Sequence, residues 1–181
     1  MSIESAEFVL PAALVAAARA VVEAHRRDGT RIAVVESCTG GLVAAALTEI
    51  PGSSDVLEAG FVTYSDLSKT AMVGVPSDVI QTFGAVSEAV AWSMAQGGLK
   101  RSEADVAVAI TGIAGPGGGS DRKPIGTVVF ARADRGADPR EIVADRLAFG
   151  DLGRGGIRLQ AALCALELLM PRAPEAAPSD P

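Results

Sequence analysis

The fold is decided by the stretch Arg31-Ile-Ala-Val-Val-Glu36-Ser-Cys-Thr-Gly-Gly41. Its first half is short, rich in β-branched residues and bounded by polar residues, which is typical of a buried strand. Its second half is a polar glycine turn, and the Ala-rich residues 42–50 that follow favour a helix. This order of strand, glycine turn and helix places functional groups at the carboxyl end of a strand, where open α/β sheets bind ligands.

Helices and strands alternate on both sides of this unit. Apolar residues at helical spacing, together with capping and glycine signals, predict helices at residues 10–27, 66–73, 77–83, 87–99 and 156–170. Short apolar runs predict further strands at residues 56–63, 105–110, 126–133 and 141–149. We therefore expect an α/β fold, a single three-layer α/β/α domain with a mixed, mostly parallel sheet of about five strands.

The length of the chain and its composition bound this domain. A chain of 181 residues suits one domain, and 49% apolar with 21% charged residues excludes a disordered protein. We expect the domain to span residues 8–170, after an N-terminal extension of residues 1–7. Residues 171–181 are rich in proline and lack apolar periodicity, which predicts a disordered tail.

Charge, cysteine and histidine counts narrow the classes of function. Lys and Arg number 16 against 22 Asp and Glu, without any block of like charges, so we expect no nucleic-acid partner. Pro11 and Arg19 interrupt the apolar residues 8–22, which excludes a signal peptide or a membrane span there. Two cysteines and one histidine are too few for a disulfide framework or a histidine-based metal site. We expect a cytoplasmic protein without a membrane partner, a metal ion or a cofactor.

Three polar clusters each follow a predicted strand. They are Glu36-Ser-Cys-Thr-Gly-Gly41, Tyr64-Ser-Asp-Leu-Ser-Lys69 and Thr111-Gly-Ile-Ala-Gly-Pro-Gly-Gly-Gly-Ser120. Because the carboxyl ends of strands line the ligand crevice of an open α/β sheet, we expect these clusters to form one site.

The first cluster offers a nucleophile. Ser37 lies before the first turn of a predicted helix, where free backbone N–H groups stabilise negative charge. Its hydroxyl can attack a carbonyl, with the N–H groups of residues 38–40, or those of the glycine loop at residues 112–120, as an oxyanion hole. Equally, Ser37 or Thr39 can simply cap the helix. Cys38 is either a rival nucleophile or a small buried apolar residue.

The second cluster offers a base, since His25 is predicted on the first helix, away from the glycine turns. Lys69 can accept a proton if its pKa falls from about 10.4 toward about 7 to 8, which burial and a helix N-terminus can produce. The alternative is an ordinary exposed lysine. Tyr64, the only tyrosine, can relay a proton or orient the amine, or it is an ordinary aromatic at the end of a strand.

Two glycine-rich segments complete the candidates. The loop of residues 112–120 has too many glycines for packing alone, which indicates close backbone approach to a ligand or a plain surface loop. It is not a Walker A loop, because no Gly-Lys-Ser/Thr sequence ends it. Before the last predicted helix, Arg154 or Arg158 can hold a phosphate at the helix N-terminus, or the two arginines are merely solvated.

Taken together, these motifs resemble the CinA C-terminal-domain family. The resemblance is carried by the first cluster, by Gly60-Phe-Val-Thr-Tyr-Ser65 with Lys69, by Gly84-Ala-Val-Ser87, and by Thr111-Gly-Ile-Ala-Gly-Pro116 with Gly118-Gly-Ser120 and Lys123-Pro-Ile-Gly-Thr127. The motifs occur in the family's order, and the resemblance covers residues 8–170. The chain departs from the family near Arg154, where Leu152 stands in place of an arginine and extra glycines follow.

The resemblance implies a nicotinamide-nucleotide amidase, which hydrolyses nicotinamide mononucleotide to nicotinic acid mononucleotide and ammonia. It implies Ser37 as nucleophile, Lys69 as base and Tyr64 nearby, with no cofactor or metal, a small nucleotide as substrate and a homo-oligomeric state. The residues expected to bind substrate are Cys38, Thr39, Gly40, Gly41, Thr111, Gly112, Gly115, Gly118, Arg154 and Arg158. A non-catalytic nucleotide-binding module and a hydrolase using Cys38 are the alternatives.

Overall fold

The computed structural model describes residues 7–138 and 140–172. The expected N-terminal extension and C-terminal tail therefore lie almost wholly outside the described residues. Six helices and five strands follow one another within the described part, in the order α1 (Ala12–Asp28), β1 (Ile32–Glu36), α2 (Leu42–Thr48), β2 (Leu57–Val62), α3 (Asp66–Val73), α4 (Ser77–Phe83), α5 (Glu88–Lys100), β3 (Val106–Gly112), β4 (Thr127–Asp134), β5 (Ala144–Ala148) and α6 (Gly153–Leu169). A short 3-10 turn, Ser53–Asp55, links α2 to β2.

The strands form one mixed sheet in the order β2-β1-β3-β4-β5. Strand β1 pairs in parallel with β2 and β3, whereas β4 is antiparallel to both β3 and β5. Four strands therefore point one way and only β4 opposes them, which confirms the expected mixed, mostly parallel sheet. Glu36 is in register with Val62 and with Ile110, so β1, β2 and β3 deliver their following residues to one edge of the sheet.

Helices cover both faces of the sheet, which confirms the three layers. Val106, Val108 and Ile110 of β3 pack with α1, α2 and α6, while the alternating Ala107 and Ala109 face α5. Side chains of successive strand residues point to opposite faces, so one strand supplies both cores. Of the helices described, none is long and apolar enough to cross a membrane.

Most element boundaries agree with the sequence, and two differ near the site. Strand β3 runs on through Thr111 and Gly112, so it ends two residues later than the predicted strand of residues 105–110. Helix α6 begins at Gly153 instead of residue 156, because the carboxylate of Asp151 accepts the N–H of Gly153 and stabilises an earlier first turn. Arg154 therefore lies inside the helix, not in a loop before it.

Candidate active site

The structure brings Ser37 and Lys69 together at the carboxyl edge of the sheet. The Lys69 Nζ donates to Ser37 Oγ at 3.2 Å and to the Thr63 carbonyl at 3.1 Å, across a separation of 32 residues from Ser37. The serine is 7% exposed and the lysine 2% exposed. An amine this well buried is not the ordinary exposed lysine that the sequence left as an alternative.

The position of Lys69 follows from the start of α3. The helix opens with a capping box, in which Ser65 Oγ accepts the Ser68 N–H and Ser68 Oγ accepts the Ser65 N–H. Lys69 is the fourth residue of the helix, so its side chain lies back over the end of β2.

Burial lowers the pKa of Lys69 from its usual value, because desolvation disfavours the charged ammonium. The carboxylate of Asp66, 4.0 Å from Nζ, and the neighbouring Cys38 act in the opposite direction and raise it. A buried amine with a lowered pKa, in contact with a hydroxyl, can accept the proton of that hydroxyl.

Glu36 is a buried residue beside Ser37 whose contacts the sequence did not predict. Its carboxylate is fully buried and accepts the N–H groups of Gly41 at 3.0 Å, Val43 at 3.2 Å and Ala44 at 2.9 Å. It therefore caps α2, and the alternative in which Ser37 or Thr39 does so is wrong. A lone carboxylate between an apolar strand and a helix that begins at glycine is the signal that could have revealed it.

The glycine turn itself offers only two free N–H groups. Gly40 donates to the Ser37 carbonyl at 3.0 Å and Gly41 donates to Glu36. Within residues 7–138 and 140–172, no backbone or carboxylate oxygen accepts from the N–H of Cys38 or Thr39. The N–H groups of Cys38 and Thr39 are therefore the donors of this turn that no oxygen occupies, and Gly40 is not the third donor that the sequence suggested.

Cys38 lies against the same two N–H groups but is poorly suited to attack a substrate. Burial raises the pKa of its thiol to about 11, although the nearby backbone N–H groups and Arg158 act to lower it. The thiol is thus protonated at neutral pH, and the thiolate is the nucleophilic form. The Thr39 hydroxyl is also buried and has no hydrogen-bond partner among the residues described.

Two arginines, one turn apart on α6, reach the site from the opposite side. Arg154 donates to the Gly115 carbonyl at 2.8 Å and to the Tyr64 hydroxyl at 2.7 Å. Arg158 donates to the Thr39 carbonyl at 2.8 Å. Tyr64 is 58% exposed and contacts the arginine rather than Lys69. Both guanidinium groups therefore contact residues of the three polar clusters, and neither is a merely solvated side chain.

The third cluster, residues 111–120, contributes backbone groups to the site more than side chains. The Thr111 hydroxyl is buried and donates to the Ala85 carbonyl at 2.9 Å, and Gly112 packs against β4. Gly115 and Gly118 both have positive φ, at 78° and 88°, which favours glycine at these turns. A cavity of 640 Å³ lies beside this loop, lined also by Ile125 and by residues that precede α6.

The model of the CinA C-terminal domain matches residues 15–172 of this chain. The chain belongs to the CinA C-terminal domain family. The solved structures similar to this family member include competence/damage inducible protein CihA from Agrobacterium tumefaciens, at 46% identity and a TM-score of 0.85, covering 90% of this chain and 96% of that one. The sequence resemblance is thereby confirmed at the level of family and fold.

The curated relatives fall into two kinds. Nicotinamide-nucleotide amidohydrolase PncC of Enterobacter agglomerans is 47% identical over 144 residues, which are 80% of this chain and 85% of that protein. The CinA-like protein of Akkermansia muciniphila is 52% identical over 133 residues, which are 74% of this chain but 32% of that protein. This family member therefore spans about a third of the length of some relatives and most of the length of others.

Proposed function

We propose that this chain is an amidase that hydrolyses the carboxamide of nicotinamide mononucleotide by a serine/lysine mechanism. The observation that carries the proposal is the direct contact of the buried Lys69 amine with Ser37 Oγ. The likeness to a nicotinamide-nucleotide amidohydrolase over most of both chains supports the substrate class.

In the first half of the reaction, neutral Lys69 accepts the Ser37 proton as Oγ attacks the carboxamide carbon. The carbonyl oxygen becomes an oxyanion, which the N–H groups of Cys38 and Thr39 would stabilise, one such donor being worth about 3 kcal/mol of barrier. The C–N bond then breaks, and the Lys69 ammonium gives its proton to the departing nitrogen. Ammonia and an acyl-serine result.

In the second half, water replaces ammonia. Neutral Lys69 takes a proton from the water as its oxygen attacks the acyl carbon, and the Ser37 Oγ–carbon bond breaks. The same proton returns from Lys69 to Oγ, which restores the hydroxyl. The product leaves as a carboxylate, and its own proton goes to solvent.

The remaining expected residues bind the nucleotide in this proposal. Arg154 is the more exposed arginine and lies at the glycine loop, so it is the proposed phosphate contact, with Tyr64 beside it. The backbone at Gly115 and Gly118 lets the ligand approach closely, whereas Arg158 faces the Thr39 carbonyl. A cytoplasmic location and a homo-oligomeric state are part of the same proposal.

The test is ammonia release from nicotinamide mononucleotide by the wild type, Ser37→Ala and Lys69→Ala. Removing either group should lower kcat by about 1,000-fold or more, as in other enzymes whose nucleophile and base act as a unit. Ser102→Ala and Lys100→Ala are matched controls and should keep normal turnover, because Lys100 is the last residue of α5 and Ser102 lies just after the helix. Near-normal turnover by either site variant would reject the serine/lysine pair.

The two alternatives give different results in the same assay. Tight nucleotide binding by calorimetry without any ammonia would indicate a non-catalytic binding module. Full turnover by Ser37→Ala together with inactivation by a thiol-alkylating reagent would indicate Cys38 as nucleophile. The raised pKa of the Cys38 thiol, about 11, speaks against that outcome.

A further inference from the structure

Glu36 is a buried carboxylate without a cation. It is 0% exposed, and no lysine, arginine or histidine of the described residues forms an ion pair with it. Its partners are the N–H groups of Gly41, Val43 and Ala44. Taking a carboxylate out of water is costly, and a chain retains such a group only where its hydrogen bonds matter.

Capping α2 does not by itself require this arrangement. A serine, threonine or aspartate at the N-cap supplies the same kind of bond from an exposed position. Here the N-cap is Gly41, with φ of 91°, and the carboxylate reaches it from the last residue of β1. The side chain therefore spans residues 37–41 and joins the two ends of the glycine turn that carries the nucleophile.

The backbone of Glu36 is tied to the other half of the pair. Its carbonyl accepts the Thr63 N–H at 2.7 Å, and the carbonyl of Thr63 in turn accepts the Lys69 Nζ at 3.1 Å. Ser37, the next residue, donates its own N–H to the Ile110 carbonyl at 2.9 Å. Glu36 thus connects β1 to the turn through its side chain and to the residue that holds Lys69 through its main chain.

We propose that Glu36 is a positioning residue for the reaction, a role that rests on the proposed serine/lysine function. Its carboxylate holds the turn in the one shape that directs Ser37 Oγ at Lys69. By accepting the Gly41 N–H it also fixes the turn so that the Cys38 and Thr39 N–H groups stay free for an oxyanion. Glu36 itself does not touch the substrate and exchanges no proton.

Glu36→Gln tests the role with nearly the same volume. Its amide has one acceptor oxygen, and its NH₂ group would face a backbone N–H, so the three hydrogen bonds cannot all form. We expect kcat to fall by about tenfold or more while KM stays within about twofold, because the loss affects the transition state and not substrate binding. Glu36→Asp keeps the charge but is one methylene too short to reach all three donors. It should likewise lower kcat and leave KM nearly unchanged.

Thr30→Ala is the matched control for lost stability. Its hydroxyl lies 2.7 Å from His25 Nδ1, before β1 begins, at the edge of the sheet opposite the site. A destabilised protein with an intact turn should keep kcat per folded molecule. The proposal would be overturned if both Glu36 variants kept kcat within about twofold of wild type. It would also be overturned if Thr30→Ala, at the same unfolding free energy, showed the same fall in kcat.

Backbone NMR separates this proposal from the amidase proposal. In the wild type, the amides of Gly41, Val43 and Ala44 should exchange slowly with solvent, and in Glu36→Gln they should exchange faster. The Cys38 and Thr39 amide resonances should shift in Glu36→Gln and not in Thr30→Ala. Unchanged Cys38 and Thr39 resonances would refute positioning, whereas a wild type that releases no ammonia would refute the amidase.

Discussion

Asp66 Oδ1 lies 4.0 Å from Lys69 Nζ, three residues away on the first turn of α3. The carboxylate raises the pKa of the amine and so opposes the larger effect of burial, which lowers it. Asp66→Asn should therefore lower the pKa of Lys69 further and move the acidic limb of the pH dependence of kcat/KM to lower pH. Because the Asp66 side chain is 62% exposed, we expect a gain below about fivefold on that limb.

Asp78→Asn is the control for that shift. Asp78 lies in the first turn of the neighbouring helix α4, so its loss removes a comparable helix-terminal charge. The measurement is ammonia release from pH 5 to 9 at low ionic strength. An acidic limb that moves to higher pH in Asp66→Asn, or equally in both variants, would contradict the role of this carboxylate.

Lys69→Met should abolish activity. Its stability, compared with that of the wild type, should also show how much unfolding free energy is lost by burying the amine. The lowered pKa means that, between the folded value and 10.5, the unfolded chain binds more protons than the native one, so stability rises with pH. The cost of burying the ammonium is fully present below the folded pKa and disappears as pH rises through 10.5. We therefore expect the unfolding free energy of the wild type minus that of Lys69→Met, both measured with urea, to rise from pH 7 to 10. A difference that falls over this range would be inconsistent with a lowered pKa.

The C-terminus of α6 depends on Arg132, a buried residue of β4. Its guanidinium donates to the carbonyls of Leu168 and Met170, each at 2.6 Å, and pairs with Asp134. Arg132→Met leaves these groups without their donor, which should cost about 2–4 kcal/mol of unfolding free energy. Activity per folded molecule should persist, because Leu168 lies about 20 Å along the helix from Arg154.

An exposed pair gives the comparison for Arg132. Arg140 pairs with Asp138 at 2.7 Å, but its side chain is 89% exposed. Arg140→Met should leave the midpoint of urea unfolding unchanged, since water solvates both groups when they separate. Equal midpoints for the two arginine variants would mean that burial does not set the contribution of Arg132.

The fold was largely predictable because its strands are short apolar runs between glycine and polar turns. The start of α6 was not, since Gly153 and its neighbours have poor helix propensity and only the contact with Asp151 extends the helix to them. That contact joins residues only two positions apart, but it depends on the backbone conformation of the turn, which residue propensities do not give. The case of Gly112 is tertiary, because the pairing of β3 with β4 draws it into a strand.

The candidate site, too, was predictable only in part. Ser37 and Lys69 follow strands β1 and β2, which are parallel neighbours in one sheet, so topology alone predicts that they lie at a common edge. The direction of a long side chain depends on what surrounds it. That is why the partners of Glu36 and of the two arginines emerged only from the structure.

The two arginines should differ in which kinetic constant they control. Arg154 is exposed and contacts the glycine loop, and in our proposal it meets the phosphate, so Arg154→Gln should raise KM about 10-fold to 100-fold with little change in kcat. Arg158 donates to the Thr39 carbonyl, beside the proposed oxyanion donors, so Arg158→Gln should lower kcat with a smaller change in KM.

Competition with inorganic phosphate decides between the two arginines without relying on turnover alone. If Arg154 holds the phosphate group, free phosphate should inhibit the wild type and Arg158→Gln by competition with the nucleotide, and Arg154→Gln much less. Tyr64→Phe is the matched control, because it removes the hydroxyl that accepts from Arg154 but keeps the guanidinium. It should retain phosphate inhibition. The reverse pattern, with inhibition lost in Arg158→Gln and kept in Arg154→Gln, would assign the phosphate to Arg158.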